Sequence, residues 1–285
     1  MIFDIENGVL CSVRGDEDTI IIPDDIEAIS SNTFQASKVK HLQFPESLKR
    51  IGRHAFCRCN GLEAIIIPDN VERIDAFAFG GCKNLKEITL PASLKRIRNS
   101  CFADTALENI RIPDSVTCIG PQAFGYCKTL KEAVLSANLK EILDEAFRGC
   151  ESLTQIEIPN GVEYIAPYSF AECKSLEKVI IHEGVEEIDD VTFLGCESLK
   201  RIMLPRSLKR ISESAFCHCL NLMEIHMPEG VEIYEDDMVD INENGHCSVR
   251  TGKGQIYFFG DPYLAKKKPD NPFKGCSKAT ICHYQ

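Results

Sequence analysis

The fifteen cysteines are the residues of this 285-residue chain with the widest range of possible chemistry. A thiolate can act as a nucleophile, as a soft metal ligand or as half of a disulfide, and each use needs a particular arrangement. Cys57-x-Cys59 and Cys217-x-Cys219 have a spacing that suggests metal binding. These pairs lie in well-separated parts of the chain and cannot share an ion, and His218 does not complete a four-ligand set. We therefore predict no metal site.

A second candidate for chemistry is the stretch that begins at Asp240. Asp240, Asn242, Asn244 and Gly245 match the opening of a calcium-binding loop, but the bidentate Glu expected at the twelfth position is replaced by Thr251. A hairpin turn is the favoured interpretation. The seven histidines are spread across the repeats without a catalytic arrangement with a carboxylate or nucleophile, and neither a Gly-rich phosphate loop nor a G-x-S-x-G motif is present. The sequence thus predicts no enzyme and no cofactor.

Most of the cysteines belong to a repeat that occupies the greater part of the chain. Prolines recur every 22 or 23 residues, and Ser136 and His182 fill the two gaps in the series. The prolines are Pro23, Pro45, Pro68, Pro91, Pro113, Pro159, Pro205 and Pro228. Residues 23–228 form nine consecutive copies, each close to P-x-x-[VL]-x-x-I-x-x-x-A-F-x-x-C-x-x-L-x-x-I-x-[IL]. A fixed period of this length indicates a solenoid.

Within each copy the apolar residues follow a strand pattern. In LKEITLP, residues 85–91, the side chains of Ile88 and Leu90 point to one side, and those of Glu87 and Thr89 point to the other. Each copy therefore predicts one coil, with a strand, a proline-marked corner, a second short strand and a return turn anchored by Phe. Because one coil cannot bury its own apolar face, neighbouring coils must stack, with like residues over like.

Stacking places the recurring aromatic and thiol side chains in two internal ladders. The Phe ladder comprises Phe34, Phe56, Phe79, Phe102, Phe124, Phe147, Phe170, Phe193 and Phe216. The Cys ladder, three residues further on, comprises Cys59, Cys82, Cys127, Cys150, Cys173, Cys196 and Cys219. The two 22-residue units lack this Cys, so the thiol accompanies the longer turn. We predict buried, free thiols that fill the bend as small apolar groups, which favours a reducing compartment.

The repeat resembles a known family. IPDNVERIDAFAFGGCKNLKEI (67–88) and IPNGVEYIAPYSFAECKSLEKV (158–179) resemble the BspA-type leucine-rich repeat, a 23-residue class common in bacteria and some protozoa. The resemblance covers roughly residues 20–230. It implies a right-handed, curved leucine-rich-repeat horseshoe that binds other macromolecules and does not catalyse a reaction. Some members of the family are surface adhesins that bind host matrix proteins.

The ends of the chain differ from the repeats. Asn7-Gly8 lies between apolar stretches and is a strong hairpin signal. We predict an N-terminal capping hairpin at 1–22, a solenoid at 23–235, and a C-terminal cap at 236–285 that contains a degenerate half-repeat. The fold class is thus a β-rich solenoid of about nine coils with hairpin-like caps at both ends.

The function predicted from these features is a protein–protein interaction scaffold that uses the concave sheet. The partner-binding candidates are the side chains that point out of the strands: Ile66, Glu87, Arg111, Val134, Glu157, Lys178, Ile180, Arg201, Met203 and His226. Exposed apolar residues on a sheet face indicate a partner surface. An edge or convex surface is the competing location. The alternatives are a cell-surface adhesin that binds host or matrix proteins, and a metal-binding or catalytic role of the 236–285 tail.

The charge balance limits the partners. With 32 basic and 43 acidic residues the net charge is −11, which argues against nucleic acid as the partner. No apolar run approaches the roughly 20 residues that span a bilayer, so we predict no membrane insertion. The acidic N-terminus lacks the features of an export signal. We therefore expect a cytoplasmic protein, or a surface or secreted one if an export signal has been removed.

Overall fold

The structure, a computed structural model, describes residues 1–15, 17–212, 214–222, 224–234 and 280–284. These residues contain 23 strands and no helix. In chain order the strands are β1 (Ile2–Glu6), β2 (Val9–Arg14), β3 (Thr19–Ile21), β4 (Ala28–Ile29), β5 (His41–Gln43), β6 (Arg50–Ile51), β7 (Ala64–Ile66), β8 (Arg73–Ile74), β9 (Glu87–Thr89), β10 (Arg96–Ile97), β11 (Asn109–Arg111), β12 (Cys118–Ile119), β13 (Glu132–Val134), β14 (Glu141–Ile142), β15 (Gln155–Ile158), β16 (Tyr164–Ile165), β17 (Lys178–Ile181), β18 (Glu187–Ile188), β19 (Arg201–Met203), β20 (Arg210–Ser212), β21 (Glu224–Pro228), β22 (Glu232–Tyr234) and β23 (Thr280–Tyr284).

Each repeat contributes two short strands to two stacked series. The odd-numbered strands from β3 to β21 form series A, and the even-numbered strands from β4 to β22 form series B. Wherever neighbouring strands of a series are paired, they run parallel and in register, offset by one repeat. Gln155, for example, pairs with Lys178, and Lys178 pairs with Arg201. This arrangement confirms the predicted β-solenoid of about nine coils.

The N-terminal hairpin adds to series B. Strands β1 and β2 are antiparallel around Asn7-Gly8, and β2 pairs in parallel with β4. The hairpin therefore covers the first coil, as a solenoid end requires. At the other end β23 pairs in parallel with β21. Residues 235–279 lie outside the described part of the chain, and the domain boundaries at 22/23 and 235/236 stay predictions.

The Phe ladder forms the centre of the core. All nine rings are buried, and successive rings stack with centroids 4.9 Å apart at Phe34–Phe56 and up to 5.7 Å apart at Phe79–Phe102. Their planes differ by at most 18°, at Phe102–Phe124. Nearly parallel rings with these centroid distances lie in the range of offset stacking, which is the arrangement that the aromatic quadrupole favours.

The return turns are joined between coils by main-chain hydrogen bonds. The N–H of Phe56 donates to the carbonyl of Ala78, and the N–H of Phe79 donates to that of Cys101. The same bond recurs from Phe34 to Phe193. Since the chain turns sharply on both sides of each ring, left-handed residues stand two positions before and after Phe in most coils, as with Tyr168 and Glu172 around Phe170. Stacking thus stabilises a backbone conformation that non-glycine residues rarely adopt.

The first prediction concerns the Phe ladder. Phe147→Ala should lower the free energy of unfolding by about 3–5 kcal/mol, because it removes a fully buried ring that stacks on Phe124 and Phe170. Tyr164→Ala in the following coil removes an aromatic ring that is 44% exposed, and should cost about 1 kcal/mol or less. Urea unfolding measures both values. Equal losses of stability in the two variants would contradict the assigned core.

Candidate functional site

The outer face of series A carries the predicted binding residues. In each three-residue strand the central side chain points into the core, as with Ile65, Ile110 and Ile202, and the two flanking side chains point away from it. The outward positions form two columns along the stack. Column 1 contains the first residue of each strand and column 2 contains the third.

Column 2 holds the apolar candidates. Ile66 and Met203 are 74% and 51% exposed, whereas Val134 and Ile180 are half-buried. Ile180 and Met203 pair in register and are adjacent, and Glu157 separates Ile180 from Val134. Ile66 pairs with Thr89 at a distant point of the stack. The structure therefore brings Val134, Ile180 and Met203 into one region and leaves Ile66 apart from them.

Most of the charged candidates lie beside this apolar region. In column 1 the exposed Lys178 and Arg201 pair in register, and in column 2 the exposed Arg111 pairs with Val134. Glu87 is exposed but lies beside Ala64, several coils away. The backbone of His226 pairs with that of Met203, and its side chain lies outside the described part of the structure.

A groove of about 320 Å³ lies on this face. Val134, Glu157, Lys178 and Ile180 line it, four of the ten residues that the sequence predicted. The groove spans the junction between the β11–β13 pair and the sheet that starts at β15, so it coincides with an interruption of series A. Its walls offer apolar surface, the Lys178 ammonium and the carboxylates of Glu132 and Glu157. The Glu157 Oε1 atom is 2.7 Å from Nε2 of His182, which holds the carboxylate at the rim.

The Cys ladder is buried as predicted, and the twelve cysteines whose side chains the structure describes form no disulfide. The apolar-plug interpretation is nevertheless incomplete, because every ladder thiol donates a hydrogen bond to the carbonyl of the Phe in the preceding coil. The Sγ–O distances run from 2.8 Å for Cys59 with Phe34 to 3.3 Å for Cys150 with Phe124. The other pairs are Cys82 with Phe56, Cys127 with Phe102, Cys173 with Phe147, Cys196 with Phe170 and Cys219 with Phe193.

The sequence contained a sign that the position three residues after Phe is polar, and the prediction missed it. The two units without the thiol have Ser37 and Thr105 at the same position after Phe, and both are small hydrogen-bond donors. Thr105 Oγ1 donates to the carbonyl of Phe102 in its own coil at 2.9 Å, whereas each ladder thiol donates to the Phe of the preceding coil. The position thus holds a small polar side chain in these units as well, but the bond between coils is a property of the thiols.

Burial also suppresses thiol reactivity. It raises the pKa of Cys59 to about 12 and that of Cys127 to about 11. Burial likewise raises the pKa of Cys150 and Cys173 well above the usual value. Since the thiolate is the reactive form, these groups are poor nucleophiles and poor metal ligands at neutral pH.

The other sites considered in the sequence lie partly within and partly outside the residues that the structure describes. Among the described residues, no group of three or more His, Cys, Asp or Glu side chains is placed to hold a metal ion. The loop from Asp240 to Thr251 lies outside the described residues. The described part of the chain contains no candidate for a membrane-spanning helix.

The repeats of this chain match the model of a known protein family. The family model for the BspA type leucine-rich repeat region matches residues 14–131 and 117–240, with six copies. No curated protein matches the chain.

Solved structures share the fold. A leucine-rich repeat protein from Bacteroides ovatus superposes with a TM-score of 0.54 at 23% identity, covering 82% of this chain and 88% of that one. A leucine-rich repeat protein from T. pallidum gives 0.55 at 24% identity, covering 61% of this chain and 87% of that one. At these identities the likeness is one of architecture.

The second prediction concerns the thiols. At neutral pH a thiol reagent should modify none of the seven ladder cysteines in the folded protein, because they are buried and their hydrogens are engaged with Phe carbonyls. Among the cysteines whose side chains the structure describes, the half-buried Cys11 and Cys57 should react first. Peptide mapping by mass spectrometry, before and after denaturation in urea, assigns each modified residue. Rapid modification of the ladder cysteines in the folded state would show that the turn is not packed as described.

Proposed function

Because the chain belongs to the BspA-type leucine-rich repeat family, we propose that it is a non-catalytic protein-binding scaffold whose binding surface is the outer face of series A. The observation that carries this proposal is the contrast between the two sides of each series A strand. The inward positions repeat nearly the same apolar residue in every coil. The outward positions change from coil to coil, as Glu87, Arg111, Val134 and Met203 illustrate. Cohesion of the stack therefore leaves the outward positions free to serve recognition.

The region around the groove has the composition of a protein interface. The half-buried Val134 and Ile180 and the exposed Met203 supply apolar contact area, and Met adapts its shape to a partner. Lys178, Arg201 and Glu157 form a charged border. An apolar centre within a polar rim is the usual anatomy of an interface, and the centre supplies most of the binding energy. We expect a partner that inserts an apolar side chain into the groove and places an acidic group near Lys178 and Arg201.

Two other functions make different predictions. An adhesin would use the same face to bind an extracellular matrix protein. A metal-binding or catalytic role would reside in the 236–285 tail, of which the structure describes only β23. The compartment of the partner separates an adhesin from an intracellular scaffold. The effect of substitutions in series A separates a role of the tail from both.

The third prediction tests the surface. A variant with Ile66→Glu, Ile180→Glu and Met203→Glu should lose specific capture of the partner, because two of the changes place charges in the apolar region beside the groove and the third places one at the exposed apolar residue further along column 2. The immobilised protein is incubated in parallel with lysate of the source cell and with purified matrix proteins. Bound proteins are identified by mass spectrometry, and the affinity of each purified candidate is then measured with both forms of the scaffold. A decrease of about tenfold or more is expected, since truncated interface anchors commonly cost over 1 kcal/mol each.

The matched control carries Tyr126→Glu, Tyr164→Glu and Leu220→Glu, three exposed apolar residues outside series A. It introduces the same number of charges and should keep full affinity. If both triple variants retain the partner, the binding surface is not series A, and the 236–285 tail becomes the candidate. If only matrix proteins are captured, and only the series A variant loses them, the adhesin function is supported.

A further inference from the structure

A second groove, on the series B side of the solenoid, concentrates positive charge. It has a volume of about 460 Å³, and its lining includes five arginines, Arg50, Arg53, Arg73, Arg96 and Arg98, against a single carboxylate, Asp75. The chain as a whole has a net charge of −11. The surplus of four positive charges in one groove therefore opposes the overall charge balance.

The strand register creates this concentration. Arg50, Arg73 and Arg96 are the first residues of β6, β8 and β10, and Arg50 pairs directly with Arg73. Like charges opposite one another in a sheet repel. Elsewhere on the surface the solenoid avoids such repulsion by giving a cation its own carboxylate one coil away, as in Lys86–Glu63 and Lys131–Glu108.

In the groove one carboxylate serves several cations. Asp75 accepts from Nε and Nη2 of Arg50 at 3.0 and 2.8 Å and from Nε of Arg73 at 2.6 Å, and Nε of Arg98 lies 3.7 Å away. Asp75 is 6% exposed, so it acts as a buried anchor beneath the guanidinium groups. A guanidinium has five N–H donors. Asp75 therefore orients Arg50 and Arg73 and leaves most of their donors for another acceptor.

The remaining arginines are also held by contacts that leave donors available. Arg96 Nη2 lies 3.3 Å from Sγ of Cys118 and 3.4 Å from a carboxylate oxygen of Glu141. The Arg53 guanidinium lies over the Phe77 ring, 5.8 Å from its centroid. The side chains of Arg50, Arg73, Arg96 and Arg98 are each about half exposed. The groove thus presents oriented cations to solvent.

We propose that this groove binds a phosphate monoester group. Guanidinium forks bind the oxygens of a tetrahedral dianion with two hydrogen bonds each, and clusters of arginine recognise phosphorylated side chains in this way. A dianion would offset about half of the surplus charge and relieve the repulsion between Arg50 and Arg73. The volume exceeds that of a phosphate alone and falls in the range of small-ligand sites. The ester substituent can therefore lie beside the half-buried lining residues Pro121 and Leu143.

The same register argues against a nucleic acid in this groove. Along the first position of series B, the residues after Arg96 are Cys118, Glu141, Tyr164 and Glu187. Carboxylates at the end of the patch would repel a continuous phosphate backbone, whereas a single phosphate group contacts only the arginines. This proposal concerns series B and does not rest on the function assigned to series A.

The repeat supplies a matched pair of variants for the test. Arg96 and Arg210 occupy the same position of the segments SLKRI at 93–97 and 207–211. Both are about half exposed, and each is paired with a glutamate, Glu141 and Glu187 respectively. Only Arg96 lines the groove. Arg96→Gln and Arg98→Gln should each weaken phosphate binding by about tenfold or more, and Arg210→Gln should leave it unchanged.

Binding is measured by isothermal titration calorimetry at low ionic strength with orthophosphate, free phosphoserine, and the peptide Gly-Gly-phosphoserine-Gly-Gly beside its unphosphorylated form. Equal affinity for free phosphoserine and the phosphopeptide supports a site for small phosphate esters, and tighter binding of the phosphopeptide supports a phosphorylated protein. Binding of no phosphate probe, equal binding of the serine peptide, or equal loss in Arg96→Gln and Arg210→Gln would overturn the proposal. Thermal unfolding of each variant verifies that the comparison is made on folded protein.

Discussion

The stacking of each coil on the next is the interaction on which the rest of this structure depends. A single coil has two strands of only a few residues and no helix, so it can satisfy neither its backbone nor its apolar side chains alone. The contacts that recur along the whole stack therefore cross from one coil to its neighbour. The Phe rings stack, the strands pair in register, the Phe amides donate to the next turn, and the Cys thiols donate to the preceding one. Because these contacts share one period, a residue type suited to one coil suits the others.

This shared period explains how much could be predicted from the sequence. The recurrence of Phe and Pro is sufficient to assign the solenoid, the inward and outward positions of each strand, and the burial of the seven ladder thiols. The hydrogen bond from each thiol to a Phe carbonyl was missed because it depends on the geometry of the turn, which periodicity does not provide. The left-handed residues on either side of Phe were missed for the same reason, although Gly81, Gly149 and Gly195 at one of these positions hinted at them.

The candidate surfaces were less accessible to sequence reasoning. The outward columns followed from strand alternation, but the distribution of their members did not. The groove beside Val134 and Ile180 depends on an interruption of series A that no residue pattern predicts. Ile66 lies apart from this groove. The arginine cluster is visible as KRI, ERI and KRI in successive repeats. Its meaning emerges only when the register places these side chains over the buried Asp75. The two faces thus differ in chemistry, with mixed apolar and charged groups on series A and guanidinium groups on series B.

The in-register pairing of similar coils also affects how such a chain can change during evolution. Since the ladders and the strand pairs join each coil only to its neighbours, duplication or deletion of one whole repeat preserves these contacts in the stack. A duplicated coil extends both ladders, and it adds two new outward positions in series A that are free to diverge. The outer face of series A can therefore lengthen by one coil at a time while the core remains the same, so that genetic recombination within the repeats changes this face without a new fold.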